Sequence, residues 1–178
     1  SAREGIKASD AKSVKIPHND LNEFEAALKR ARDSAKEIFI AVESLYSMDG
    51  DIAPLKGLSQ VANEHHAWLM VDDAHGFGVL GAGGGGSALA QGLSSNDCPI
   101  YMATLGKALG SYGAFVAGSE ELIESLIQFS RNYIYTTALP PSVAAASLDT
   151  TPIRATNDAW REAGSGIREG REIGRAHV

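Results

Sequence analysis

Three short apolar segments recur along this chain at intervals of about 30 residues, and this spacing constrains the fold more than any other sequence feature. They are Ile38 to Val42, Ala67 to Val71 and Ile100 to Ala103. Each is aliphatic or β-branched and short, which is typical of a strand covered on both faces. Between the first two, Leu55 to His66 places apolar side chains on one helix face. The alternation predicts an α/β fold with a central, largely parallel sheet and helices on both faces.

Two helices and a further strand are also predicted. Asp20 is placed to cap a helix that runs from Leu21 to Arg32. A fourth strand is predicted at residues 115–117, and Ser119 is placed to cap an amphipathic helix after it. These elements extend the alternation of strands and helices beyond the three apolar segments.

Composition excludes several classes of protein. The 178 residues are 44% hydrophobic and 21% charged, which is typical of a globular protein and unlike a disordered chain. The net charge of −6, without a block of Lys and Arg, argues against a nucleic-acid partner. No apolar run approaches the ~20 residues of a membrane-spanning helix. The single cysteine, Cys98, excludes an internal disulfide, and we expect a cytoplasmic protein with no membrane partner.

Reactive side chains follow the predicted strands. Ligands of open parallel sheets bind beyond the carboxyl ends of the strands, where Ser47, Asp72, His75, Thr104 and Lys107 are expected. A lysine amine forms a Schiff base with an aldehyde, and an aspartate keeps a pyridine nitrogen protonated. An imidazole and hydroxyls suit a phenolic oxygen and a phosphate. The set predicts a site for pyridoxal phosphate, and no metal site is predicted.

Four segments carry a resemblance to a known family. They read ESLYSMDGDIAPL, VDDAHGFGVLG, TLGKALGSYGAFVAG and YIYTTALPPSVAAASL, in that order. In their residues and spacing they resemble the α-oxoamine synthases, which are pyridoxal-phosphate enzymes of fold type I. The resemblance implies that residues 1–150 are part of a cofactor-binding large domain. Residues 151–178, where glycines interrupt a charged stretch, are assigned to the start of a C-terminal segment.

The resemblance also implies a role for each matched residue. Lys107 matches the lysine that bonds to the cofactor aldehyde, and Asp72 matches the aspartate beside the pyridine nitrogen. His75 and Ser47 match contacts to the ring oxygen, and Thr104 matches a phosphate contact. Lys107, His75 and Asp72 are therefore the expected catalytic residues.

The last matched segment implies a contact with a second subunit. Either Thr136 or Thr137 matches a hydroxyl that reaches the phosphate of the neighbouring subunit, and the match leaves both residues open. Family sites lie at a dimer interface, so the resemblance implies a homodimer.

The family's activity is a decarboxylative condensation of an amino acid with an acyl thioester. The four segments are closest to members that join L-alanine to pimeloyl thioester in biotin biosynthesis. Members that use glycine with acetyl thioester, or serine with a long acyl thioester, remain alternatives, as does a non-catalytic fragment or oligomerisation domain. The family's glycine-rich phosphate segment and ring-stacking side chain have no match here. We therefore expect the 178-residue chain alone to be inactive.

Overall fold

Four short strands form one sheet in residues 2–150, which are the residues that the computed structural model describes. They are β1 (Phe39–Glu43), β2 (Trp68–Asp72), β3 (Ile100–Thr104) and β4 (Ala114–Gly118), adjacent in that order. β1, β2 and β3 are parallel, and β4 runs antiparallel to β3. The predicted α/β fold with a largely parallel sheet is confirmed. The segment assigned to residues 151–178 lies outside the described residues.

The direction of β4 follows from the length of its connection. Residues 105–113 join β3 to β4. A parallel crossover needs about a dozen residues or more, whereas an antiparallel return needs only a few. The sequence pattern predicted the strand at residues 115–117, but the short connection is what determines its direction.

Helices occupy the remaining connections. They are α1 (Ala2–Ala8), α2 (Leu21–Ala31), α3 (Leu55–Glu64), α4 (Ser87–Ala90), α5 (Glu120–Phe129), α6 (Arg131–Tyr135) and α7 (Pro141–Thr150), with a 3-10 turn at Ala82–Gly84. Both predicted N-caps are confirmed: Asp20 accepts the Glu23 N–H at 3.1 Å, and Ser119 accepts the Leu122 N–H at 3.3 Å. Within residues 2–150, no helix is long and apolar enough to cross a membrane.

The hydrophobic core lies against one face of the sheet. Along β1, β2 and β3 every second residue is buried, and these residues pack with Leu55 and Leu58 of α3. The other face is more open, with Phe39 61% exposed and Trp68 45% exposed. Within residues 2–150 this second face is half-buried rather than fully buried. Apolar composition could not distinguish the faces, because both carry apolar side chains.

Candidate active site

The last residues of the parallel strands bring polar side chains to one edge of the sheet. Glu43 pairs with Asp72 in the parallel register, and Thr104 ends the neighbouring strand. Each follows a buried residue of the core face, so all three belong to the half-exposed face. The carboxyl edge of the sheet is therefore polar on the side that is open to solvent.

Lys107 lies in the short connection between β3 and β4. The Leu105 N–H donates to the Gly113 carbonyl at 2.8 Å, and the Ser111 N–H donates to the Leu105 carbonyl at 2.9 Å. The Thr104 hydroxyl also donates to the Gly113 carbonyl, at 3.0 Å. These bonds join the two ends of the connection, so the exposed Lys107 side chain projects from a braced backbone.

His75 lies in a turn after β2 and contacts this lysine. Its Nε2 is 2.7 Å from Nζ of Lys107, although the two residues are 32 positions apart in the sequence. A charged lysine amine only donates hydrogen bonds, so a neutral imidazole accepts at Nε2 and carries its proton at Nδ1. The structure thus brings together the predicted amine and the predicted imidazole.

The Asp72 carboxyl interacts electrostatically with both Lys107 and His75. Partial burial raises the pKa of the Asp72 carboxyl, and the Glu43 carboxylate beside it also raises that pKa. The Ala74 N–H, which donates to Oδ1 at 3.1 Å, opposes this shift, as do the nearby Lys107 and His75 side chains. Among residues 2–150, no hydrogen bond is donated to Oδ2 of Asp72, which leaves this oxygen able to accept one from a ligand.

The hydroxyls predicted to bind the cofactor differ in their contacts. Ser47 is exposed in the loop after β1, and its N–H donates to Glu43 Oε2 at 3.4 Å. The Thr104 hydroxyl already donates to the Gly113 carbonyl and accepts the Gly106 N–H at 3.3 Å. A phosphate contact by Thr104 would therefore require the exchange of one of these bonds.

Thr136 and Thr137 stand apart from this group. Both are exposed and follow the end of α6. Within residues 2–150, no hydrogen bond joins either residue to Lys107, His75 or Asp72. Their predicted role concerns a neighbouring subunit, so it stays a prediction for both.

Two further carboxylates at this edge were given no role by the sequence reasoning. Glu43 lies beside Asp72, and its place at the end of an apolar segment was the signal that could have found it. Asp73 is fully buried, and both of its carboxylate oxygens accept hydrogen bonds. Its signal was the strand alternation, because Asp73 follows the buried Val71 by two residues.

A separate polar group ties the segment before α2 to the turn after β1. His18 Nε2 is 2.7 Å from Asp51 Oδ2, and Asn19 Nδ2 donates to the same oxygen at 2.9 Å. Together with Asp49, the ligand atoms of His18 and Asp51 lie within 4.8 Å of one another, and all three residues are exposed. This contact could not be predicted from the sequence, because 33 positions separate His18 from Asp51. We assign no metal to these residues.

Comparison with known proteins identifies the family. The family model for aminotransferase class I and II matches residues 1–166. The chain belongs to this family. One similar protein is 8-amino-7-oxononanoate synthase of Cellvibrio japonicus, 51% identical over 161 residues, which are 90% of this chain and 40% of that protein. The protein of the same name from Methylococcus capsulatus is 51% identical over 147 residues, which are 83% of this chain and 38% of that protein. The chain thus spans about 40% of the length of the curated relatives it matches.

Solved structures of related enzymes have the same architecture. Serine palmitoyltransferase from S. paucimobilis, solved with a bound PLP-myriocin aldimine, matches with a TM-score of 0.76 and 34% identity over 96% of this chain and 40% of its own. The 8-amino-7-oxononanoate synthase from Francisella tularensis matches with a TM-score of 0.68 and 38% identity over 88% of this chain and 44% of its own. The predicted membership of a fold type I enzyme family is confirmed.

Proposed function

We propose that the edge formed by Lys107, His75 and Asp72 binds pyridoxal phosphate and serves acyl transfer to an amino acid. The observation that carries the proposal is the 2.7 Å contact between Lys107 Nζ and His75 Nε2, within electrostatic range of the half-buried Asp72 carboxylate. When bound, pyridoxal phosphate supplies an aldehyde that reacts with amines and a cationic ring that stabilises a carbanion. An amine, an imidazole and a carboxylate oxygen that can still accept a hydrogen bond are side-chain groups that fit this cofactor.

Asp72 keeps the ring nitrogen protonated in this proposal. Its Oδ2 would accept the N–H of the ring, and at ~4 Å and an effective dielectric near 20 the attraction between the two charges would be about 4 kcal/mol. The raised pKa of the Asp72 carboxyl means that its ionised form is less stable in the free protein than it would be in water. A cation in contact with the carboxylate offsets that disadvantage.

Lys107 is the nucleophile and the proton carrier. Its amine must lose a proton before it can attack an aldehyde, and the neutral His75 Nε2 at 2.7 Å is placed to take that proton. A neutral Lys107 amine held at this position could also remove a proton from the α-carbon of a bound amino acid. Once it holds that proton, His75 would be able to donate a hydrogen bond to the ring oxygen.

The hydroxyl residues complete the cofactor site. Ser47 contacts the ring oxygen, and Thr104 contacts the phosphate after exchanging one of its present hydrogen bonds. Thr136 or Thr137 reaches the phosphate in the neighbouring subunit of a cytoplasmic homodimer. The exposure of both threonines supports a role outside their own subunit.

The reaction we propose for the whole protein is the condensation of L-alanine with pimeloyl thioester, with loss of carbon dioxide, to give 8-amino-7-oxononanoate. This step belongs to biotin biosynthesis. Relatives that carry the name of this enzyme support the proposal at 51% identity over 90% of the chain. Serine palmitoyltransferase activity is the second candidate, supported by a TM-score of 0.76 at 34% identity. The higher identity favours the first candidate.

Borohydride trapping tests the cofactor site. The chain is incubated with pyridoxal phosphate, reduced with borohydride and digested, and the labelled peptide is identified by mass spectrometry. We expect the label on Lys107 and its loss in Lys107→Ala. Lys56→Ala is the matched control, because Lys56 is also an exposed lysine but lies on α3, and it should keep the label. Equal labelling of Lys56 and Lys107 in the unmodified chain would contradict the site, and no labelling would favour a non-catalytic domain.

A substrate panel tests the reaction. A polypeptide that spans the full length of the relatives is assayed with alanine and pimeloyl thioester, serine and palmitoyl thioester, and glycine and acetyl thioester. We expect the first pair to give the highest kcat/KM. Preference for either of the other pairs would assign the protein to another member of the family.

A further inference from the structure

Asp73 is a fully buried carboxylate to which four hydrogen bonds are donated. Oδ1 accepts from the hydroxyls of Ser44 and Ser87, the latter at 2.6 Å. Oδ2 accepts from the Tyr101 hydroxyl and from the Ser87 N–H, the latter at 2.7 Å. Charge-assisted hydrogen bonds of this kind are stronger than neutral ones, so the four together fix the orientation of this side chain.

The four donor groups come from the two strand regions that flank β2 and from one helix. Ser44 directly follows β1, Tyr101 lies in β3, and Ser87 is the first residue of α4. Asp73 directly follows Asp72, and successive strand residues point to opposite faces. The Asp73 carboxylate therefore joins three strands and a helix immediately behind the position of Asp72.

The turn that carries His75 is built on this same residue. The Phe77 N–H donates to the Asp73 carbonyl at 2.9 Å, which closes the turn around His75. Gly76 packs so closely against the Asp73 carboxylate and the Ser87 hydroxyl that a Cβ at this position would overlap with both. The backbone on either side of His75 is thus held by Asp73, on one side directly and on the other through Gly76.

We infer that Asp73 is the positioning residue that holds the His75 imidazole against Lys107. Asp73 itself is buried away from the site and acts only through the turn. The inference rests on the proposed function in one respect, because that function gives the contact of His75 with Lys107 its role in binding pyridoxal phosphate. The contact itself is a property of the chain without any ligand.

The tautomer of His75 reports this contact directly. While Lys107 donates to Nε2, the neutral imidazole holds its proton at Nδ1, and ¹⁵N NMR of the labelled chain distinguishes the two ring nitrogens. Lys107→Ala calibrates the measurement, because it removes the donor and should populate the form with the proton at Nε2. The second measurement is the concentration of pyridoxal phosphate that half-saturates borohydride trapping.

Three variants of the carboxylate pocket separate positioning from charge. Asp73→Ala removes every acceptor, and we expect a shift of His75 toward the Nε2–H tautomer and an increase of about tenfold in the half-saturating concentration. We expect Asp73→Asn to return both the tautomer and the half-saturating concentration to their values in the unmodified chain. Its amide nitrogen can take the place of Oδ1, because the Ser44 and Ser87 hydroxyls can rotate to accept hydrogen bonds from it. Should Asp73→Ala fail to fold, the double variant Ser44→Ala/Tyr101→Phe leaves Ser87 as the one remaining donor to Asp73 among residues 2–150, and we expect it to shift the tautomer in the same direction.

Asp97→Asn is the matched control. The Asp97 carboxylate accepts the N–H and the hydroxyl of Ser94 at 2.8 and 2.6 Å, in a loop apart from the His75 turn. This variant should leave the tautomer unchanged. A folded Asp73→Ala, or the folded double variant, that keeps the Nδ1–H tautomer would overturn the inference. If the unmodified chain shows no trapping, the proposed function fails, and the tautomer still decides the role of Asp73.

Discussion

The pairing of Glu43 with Asp72 predicts that the Asp72 charge lowers the stability of the folded chain. The two carboxylates lie on neighbouring parallel strands and on the same half-exposed face. Among residues 2–150, neither forms a salt bridge. Asp72→Asn removes one charge and keeps the oxygen that accepts the Ala74 N–H. We therefore expect this substitution to increase the free energy of unfolding while it weakens the binding of pyridoxal phosphate.

The size of the gain follows from the geometry of the sheet. Neighbouring strands lie about 4.8 Å apart, and two like charges about 5 Å apart at an effective dielectric near 20 repel by about 3 kcal/mol. Both side chains are partly exposed, so solvent screening reduces this repulsion to about 1 kcal/mol. Glu43→Gln should give a similar gain at pH 7. The double variant should gain about 1 kcal/mol less than the sum of the two, because each substitution alone removes the same repulsion.

The pH dependence of stability gives a second signature, because partial burial first, and then repulsion by Glu43, raise the pKa of the Asp72 carboxyl. The pKa of the Asp72 carboxyl in the folded chain lies above its ordinary value of 3.8. Between these two values the folded chain binds more protons than the unfolded chain, so its free energy of unfolding falls as the pH rises. The advantage of Asp72→Asn should therefore be complete at pH 7 and disappear as the pH falls toward 3.8.

Urea unfolding followed by circular dichroism over a pH series measures these differences. Asp97→Asn is a control of opposite sign, because hydrogen bonds from Ser94 lower the pKa of the Asp97 carboxyl and so stabilise the fold at neutral pH. It should lose stability at pH 7, and the loss should shrink as the pH falls. A gain in both variants would indicate a general effect of the net charge of −6. A loss of stability in Asp72→Asn at pH 7 would refute the reasoning.

Three further predictions concern the rest of the fold. Burial raises the pKa of the Cys98 thiol to about 12, so a thiol reagent should modify Cys98 only at the rate at which the chain unfolds, and rapid modification of the native chain would contradict its burial. Ser119→Ala removes the cap that accepts the Leu122 N–H and should lower the free energy of unfolding by about 1 kcal/mol in urea titrations; an unchanged midpoint would show that the cap is dispensable. Gly86→Ala should cost about 3 kcal/mol or more by the same measurement, because Gly86 has a φ of +98° and a Cβ there would overlap with Asp73, and near-native stability would argue against this packing.

Hydrophobic periodicity was sufficient to predict the parallel strands and the capped helices. Three apolar segments at regular intervals gave β1, β2 and β3 to within one residue at each end. The side chains of Asp20 and Ser119 accept the hydrogen bonds that their positions predicted. These features are local in the sequence, since a strand or a cap depends on residues only a few positions apart.

Features that depend on contacts between distant residues were not predicted in the same way. The sequence placed Lys107 and His75 at one edge of the sheet, but the 2.7 Å contact between them depends on the brace of the connection at residues 105–113. The internal hydrogen bonds of Thr104 were likewise invisible, because the partner carbonyl at Gly113 becomes a neighbour only when β4 folds back along β3. The antiparallel direction of β4 and the hydrogen bond from Thr104 to Gly113 thus have the same cause, which is the short connection between β3 and β4.

Asp72 and Asp73 show that the type of a residue does not indicate its role until the face of the strand on which it lies is known. The two are neighbours in the sequence and chemically identical, yet Asp72 is half-buried beside another carboxylate, and Asp73 is fully buried with four hydrogen bonds donated to it. Asp72 therefore lowers stability and can still bind a ligand, whereas Asp73 supports the structure and has no oxygen to spare. The alternation of a strand assigns these faces: Leu69 and Val71 are buried, so the residue two positions after Val71 shares their face. The same alternation places Asp72 on the half-exposed face, where a ligand can reach it, and Asp73 in the core.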